Sequence, residues 1–183
     1  MKKNVFIVFL ILISYQAFSQ ENMVTLSGGY SFANVDNDFK GTGYRINGLF
    51  EFKPMSGKFA HGISFGYIHL TSIDEKVSGT ATRTVNSFPV YYAPKVMFGS
   101  EKFKFFIKGA LGMQFAGLKR EGAGVVALDD NDFGFYGGGG AGVMLFLSEK
   151  LFINAEYEIA WASNSWYNDG WINSAMGGIG FRF

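Results

Sequence analysis

Residues 44–52 read Tyr-Arg-Ile-Asn-Gly-Leu-Phe-Glu-Phe, and their alternation decides the fold class. Tyr44, Ile46, Phe50 and Phe52 share one face of an extended chain, and Arg45, Asn47 and Glu51 share the other. A period of two with chemically unlike faces predicts a strand that separates two environments. The pattern recurs downstream. Leu151, Ile153, Ala155, Tyr157, Ile159 and Trp161 alternate with Asn154, Glu156 and Glu158. Phe103, Phe105, Ile107, Leu111, Met113 and Phe115 alternate with Lys104, Lys108 and Gln114.

Working outward, the same rhythm predicts eight strands, at roughly 23–34, 43–53, 59–71, 83–98, 103–118, 133–147, 151–162 and 171–183. The connections at 54–58, 99–102 and 148–150 are short and rich in turn residues. Those at 35–42, 72–82, 119–132 and 163–170 are longer and polar. Short and long connections in alternation are what an even-stranded membrane barrel requires, with tight turns at one end and long loops at the other. The glycines at 137–140 fall inside a strand pattern, since Phe133, Phe135, Val143, Leu145 and Leu147 keep one register across them. There they let a small barrel bend or leave room for large side chains opposite.

Composition agrees. Of 183 residues, 25 are Gly and 21 are Phe, while charged residues make up only 17%. The average charged share is about 25%. No stretch past the amino terminus approaches the ~20 apolar residues of a membrane helix. The amino terminus carries a secretory signal pattern: basic Lys2 and Lys3, an apolar run from Val5 to Ile13, then Ala17-Phe18-Ser19. Cleavage after Ser19 leaves residues 20–183 as one domain and moves the net charge from +1 to −1. No basic patch suited to nucleic acid appears, and there is no Cys. An exported, aromatic chain without helical spans has one remaining route through a membrane, the closed barrel. The expected fold is an all-β, eight-stranded antiparallel up-and-down transmembrane β-barrel.

Ala175, Gly177, Ile179, Phe181 and Phe183 lie on one face of the last strand. Ile179, Phe181 and Phe183 resemble the C-terminal insertion signal of bacterial outer-membrane proteins. The segment Asn86-Ser87-Phe88-Pro89-Val90-Tyr91-Tyr92-Ala93-Pro94-Lys95-Val96 resembles the fourth strand of porin-family barrels. Together these make the chain similar to the OmpA/OmpX-like superfamily over its mature length, as a pattern of topology that carries no catalytic residues. The resemblance implies an outer-membrane location, contact with the lipid bilayer and lipopolysaccharide, and insertion by the barrel-assembly machinery. From the residues alone, Pro89 and Pro94 call for a bulge or an in-strand distortion, because proline removes a ladder hydrogen bond.

By register, Arg45, Glu51, Lys95, Lys104, Lys108, Glu156, Glu158 and Arg182 face the lumen. At eight strands a lumen is just wide enough for side chains to fill it, so a plug of ion pairs is expected ahead of a narrow pore. Tyr44, Tyr67, Tyr92, Tyr157, Trp161, Trp166 and Trp171 fall toward strand ends, as interfacial girdles do. Trp166 and Tyr167, in the last long connection, are the candidates for contact with a ligand. His69, followed by Thr71, Ser72 and Asp74, is the one place where a Ser–His–Asp arrangement is thinkable. Asp129-Asp130-Asn131-Asp132 offers oxygen ligands without the spacing of a calcium loop. No catalytic, cofactor or metal site is assigned. The expected role is a monomeric structural or surface-interaction protein acting through external loops on an unspecified ligand. A pore for small solutes is the alternative, and a lipid-modifying enzyme comes third.

Overall fold

The computed structural model describes residues 21–36, 39–53, 58–76, 79–122 and 126–183. The segment read as a signal, residues 1–19, lies outside them. The strands in chain order are β1 (Glu21–Val35), β2 (Phe39–Lys53), β3 (Phe59–Lys76), β4 (Gly79–Tyr92), β5 (Lys95–Gly99), β6 (Phe103–Gly122), β7 (Leu128–Phe146), β8 (Leu151–Ala162) and β9 (Tyr167–Arg182). β4 and β5 are two parts of one stave, since both lie between β3 and β6. Eight antiparallel staves therefore close into a ring when β9 pairs with β1.

The ring is strongly staggered. A walk across paired residues from Phe59 passes Val96, Ile107, Ala141, Tyr157, Ala175, Tyr30 and Tyr44. It returns to β3 at His69, ten residues from its start. Such a stagger in an eight-stranded barrel tilts the strands by about 40°. The seam closes at its lower end by two backbone hydrogen bonds of 3.0 Å between Asn22 and Phe183. At its upper end the register slips, with Ala33 opposite Ile172 but Val35 opposite Tyr167.

Pro89 and Pro94 are both accommodated without an inserted residue. Pro94 separates β4 from β5, yet β3 keeps one register across the gap, from Ile63 opposite Tyr92 to Ala60 opposite Lys95. The backbone is still bonded there, Ala93 N–H to the Gly62 carbonyl and Gly109 N–H to the Pro94 carbonyl, each at 2.8 Å. Pro89 pairs with Gln114 of β6, and the ladder to β3 lapses between Val90 and Ser87 before resuming in register.

The outward face is apolar. On β6 the exposed residues Phe103, Phe105, Ile107, Leu111, Met113 and Phe115 form an unbroken band. From Phe103 to Phe115 is roughly 40 Å of strand, or about 30 Å along the axis at the tilt above, matching a hydrocarbon core of about 30 Å. Tyr44, Tyr92, Tyr157, Trp161 and Trp171 are exposed on this wall, and Tyr67 is half-buried.

Above the band the wall is uneven. β2 and β3 stop pairing at Thr42 opposite Thr71, but β3 and β4 continue to Lys76 opposite Gly79. β7 and β8 stop at Tyr136 opposite Ala162, but β6 and β7 continue to Arg120 opposite Leu128. β3, β4, β6 and β7 thus rise as a four-stranded sheet on one side. This corrects the reading of 72–82 and 119–132 as long loops. Beyond the lipid both faces of these strands turn polar, so the apolar alternation that marks a strand disappears while the backbone pairing continues.

Candidate functional site

The glycine-rich strand explains how large side chains fit inside. A Cβ on Gly142 would sit 2.5 Å from the Phe106 ring, and one on Gly180 would sit 2.1 Å from the Phe152 ring. Bare backbone on β7 and β9 leaves the space those rings occupy.

The lumen is layered. At the end bearing the termini, Met23, Ala60, Met97, Phe106, Met144, Phe146 and Phe152 pack as one apolar layer. Above it lies a charged layer. Lys95 pairs with Glu51 at 2.8 Å, and Lys108 bridges Glu156 at 2.5 Å and Glu158 at 2.8 Å. Arg45 pairs with Glu158 at 2.6 Å. Tyr136 and Tyr91 donate to the two oxygens of Glu158 at 2.7 and 3.0 Å, and Arg45 in turn donates to both tyrosine hydroxyls. Asn47 accepts from Ser64 at 3.0 Å. Three cations and three carboxylates balance, which a buried polar network needs to avoid an unpaired charge.

Above these charges the lumen becomes apolar again, around Val35, Ile68, Leu70, Val85, Leu118 and Ile172. A wholly polar lumen is therefore not what forms. Leu49 shares the inward face with Arg45, Asn47 and Glu51 and is buried. The void beside Thr25, Asn47, Lys95, Asn154 and Glu156 measures about 10 Å³, room for no more than about one water.

Lys104 and Arg182 have the same inward parity but sit at the lower mouth. There both lie over the Phe146 ring, and Arg182 donates to the Glu149 carbonyl at 2.8 Å. At the upper mouth, Asp36 accepts from Arg83 at 2.9 Å and also pairs with Arg120. Arg83 stacks on Phe39 with 3.5 Å from its carbon to the ring centre. Asp36, which follows β1, is thereby tied to the inner face of the tall sheet, over the lumen. Sequence reasoning missed this clamp because its three members lie in stretches read as loops or loop margins.

Tyr167 corrects another expectation. It is buried, and its hydroxyl is 2.6 Å from Ser87 Oγ inside the barrel. Trp166 is half-buried against the upper apolar layer, with its carbonyl accepting from Asp36 N–H. The polar surroundings in sequence hid the fact that β9 begins here, and the register slip before Ile172 turns inward a position that strict alternation would place outward. Ile179, Phe181 and Phe183 are exposed on the lipid-facing wall, the last two rings stacked 6.3 Å apart.

The arrangement of His69 with Ser72 does not form, because Ser72 is buried on the lumen face and His69 points outward. The four residues 129–132 are likewise split between two faces by strand alternation. Asp132 instead accepts from Ser165 N–H at 2.7 Å, and that bond holds its carboxyl below the usual carboxylate range.

Similarity to known proteins follows the same lines. Neisserial surface protein A has the same fold at a TM-score of 0.67, with 10% identity, covering 88% of this chain and 97% of that one. Ail of Yersinia pestis, crystallised with the heparin analogue sucrose octasulfate, gives 0.53 at 15% identity over 90% and 98%. The amino-terminal barrel domain of Pseudomonas aeruginosa OprF gives 0.53 at 12% over 89% and 97%. No curated protein matches in sequence. The model of the outer membrane protein beta-barrel domain matches residues 5–183; the chain belongs to that family and resides in the outer membrane.

Proposed function

We propose that this protein is a sealed outer-membrane anchor that presents the tall sheet of β3, β4, β6 and β7 for surface interaction. One observation carries the reading. Beyond Thr71 on β3, and over Leu128–Asn131 at the start of β7, each strand has a neighbour on one side only, whereas Asp132–Phe135 of β7 are already bonded to Ser163 and Asn164. Strand edges of this kind add an extended segment from a partner through main-chain hydrogen bonds. The layered lumen supports an anchor over a pore, since two apolar layers enclose a charge-balanced one. In this reading residues 1–19 are removed on export and the chain acts as a monomer. Its wall meets bilayer lipid and lipopolysaccharide, and Ile179, Phe181 and Phe183 present the last strand to the barrel-assembly machinery.

The test is to replace 73–82 and 119–129 each by a two-residue turn. Cells displaying the shortened barrel should lose adhesion to protein-coated and sister-cell surfaces, while the barrel keeps its heat-modifiable migration. Undiminished adhesion would sink the proposal, and stable single-channel steps from the intact protein in a planar bilayer would replace it with the pore.

A further inference from the structure

On the lipid-facing wall, just above the aromatic girdle, His69 is held by three neighbours. Its ring stacks on Tyr44 at 5.1 Å. Its Nδ1 lies 2.7 Å from Asn86 Oδ1, and its Nε2 lies 3.2 Å from Thr71 Oγ1. One tautomer satisfies both contacts: Nδ1–H donates to the amide oxygen, and Nε2 accepts the threonine hydroxyl proton. Tyr67 also donates to Asn86 Oδ1, at 2.8 Å, which fixes the amide and leaves its NH2 group as the donor for a ligand. A hydroxyl, an imidazole base and an orienting acceptor in that order form the relay of nucleophilic acyl transfer.

The position supplies the substrate. Asn86 also lines a groove of about 500 Å³ on the outer wall, whose apolar floor is Phe88, Phe115 and Phe133. The groove lies at the top of the lipid band, where acyl chains meet their ester linkages. We infer that Thr71, His69 and Asn86 form a hydrolytic site for acyl esters of outer-leaflet lipids, with an acyl chain seated on Phe88, Phe115 and Phe133. Thr71 Oγ attacks the ester carbonyl carbon as its proton passes to His69 Nε2. The ester C–O bond breaks, and the departing alcohol takes that proton. Water then adds to the acyl-threonine, giving its proton to Nε2. The acyl–Oγ bond breaks, Oγ recovers a proton, and a free fatty acid leaves. Asn86 is a positioning residue that acts through His69.

The experiment incubates the purified full chain in mixed micelles with lipid A in one arm and diacyl glycerophospholipid in the other. Fatty-acid release is followed by mass spectrometry, and a fluorophosphonate probe reports the nucleophile. Release from one arm identifies the ester source, and labelling should map to Thr71. T71A and H69A should lower release on the order of 10²–10⁴-fold, and T71S should restore it. N86D should place a carboxylate on Nδ1 and move the acidic limb of the pH–rate profile upward. Heat-modifiable migration confirms that each variant is folded. No release from either lipid by the wild type overturns the inference, as does release unchanged in T71A and H69A.

Discussion

Two arginine–carboxylate clusters sit one above the other in this barrel, and they do different work. Around Arg45 and Glu158 every partner is buried, the charges balance, and two tyrosine hydroxyls donate to the two Glu158 oxygens. Around Asp36, two arginines from β4 and β6 hold the upper end of β1, and Arg120 is partly open to water. The first cluster joins opposite sides of the wall across the lumen and seals it. The second ties the short side of the rim to the tall side. Burial depth sets the difference, because an unpaired charge in a dry interior costs far more than one at a wet rim.

The sharpest way to break the comparison is Glu158→Ala. It removes the acid from Arg45 and leaves Lys108 with Glu156 alone, and should cost about 3–5 kcal/mol, read as a lowered urea midpoint in vesicles. A midpoint that does not move would put the two clusters on one footing. Asp36→Ala should cost less, about 1–3 kcal/mol, and locally. Amide exchange should speed up at 33–36 and 118–122 while the girdle strands stay protected. Tyr167→Phe removes a hydroxyl that bonds Ser87 Oγ and meets Gln114, and should cost about 1 kcal/mol in the same urea titration. A larger loss would mean that the upper layer depends on this hydroxyl more than on its apolar packing.

The smallest effect is electrostatic and lies outside the lipid. The Asp132 carboxyl is held low by Ser165 N–H, so its bond contributes fully above the unfolded carboxylate pKa and is lost as pH falls through the lower folded value. The Ser165 amide resonance should shift across that acidic window in the wild type and stay flat in Asp132→Asn.

Much of this was legible in sequence, and the limits have physical causes. Period two assigns faces, so it brings Arg45, Lys108 and Glu158 into one lumen. It carries no depth, so Lys104 and Arg182 look equivalent to them although they lie at the mouth. It also depends on the membrane for its contrast. Between Phe103 and Phe115 lipid demands apolar residues, whereas Lys119 and Glu121 pair with each other in water on the same strand face. There the signal fades and the strand does not. Tyr167 was misread partly for the same reason, being flanked by polar residues at a strand start, and partly because the register slip before Ile172 turns it inward against the alternation. The proximity of Thr71, His69 and Asn86 depends on the β3–β4 register, which places His69 opposite Asn86 and which neither strand specifies alone.

The paired hydrogen bonds between Asn22 and Phe183 have a kinetic consequence. They join positions separated by almost the whole described chain, so among the described residues the seam is the contact with the greatest sequence separation. Loop closure over that distance costs entropy before any later pairing offsets it, and folds dominated by distant pairings form slowly. Until the two ends meet, β1 and β9 each expose an unsatisfied backbone edge that hydrocarbon does not tolerate. Ring closure is then the committing event of assembly. Weakening the seam should delay insertion even where the finished barrel is equally stable.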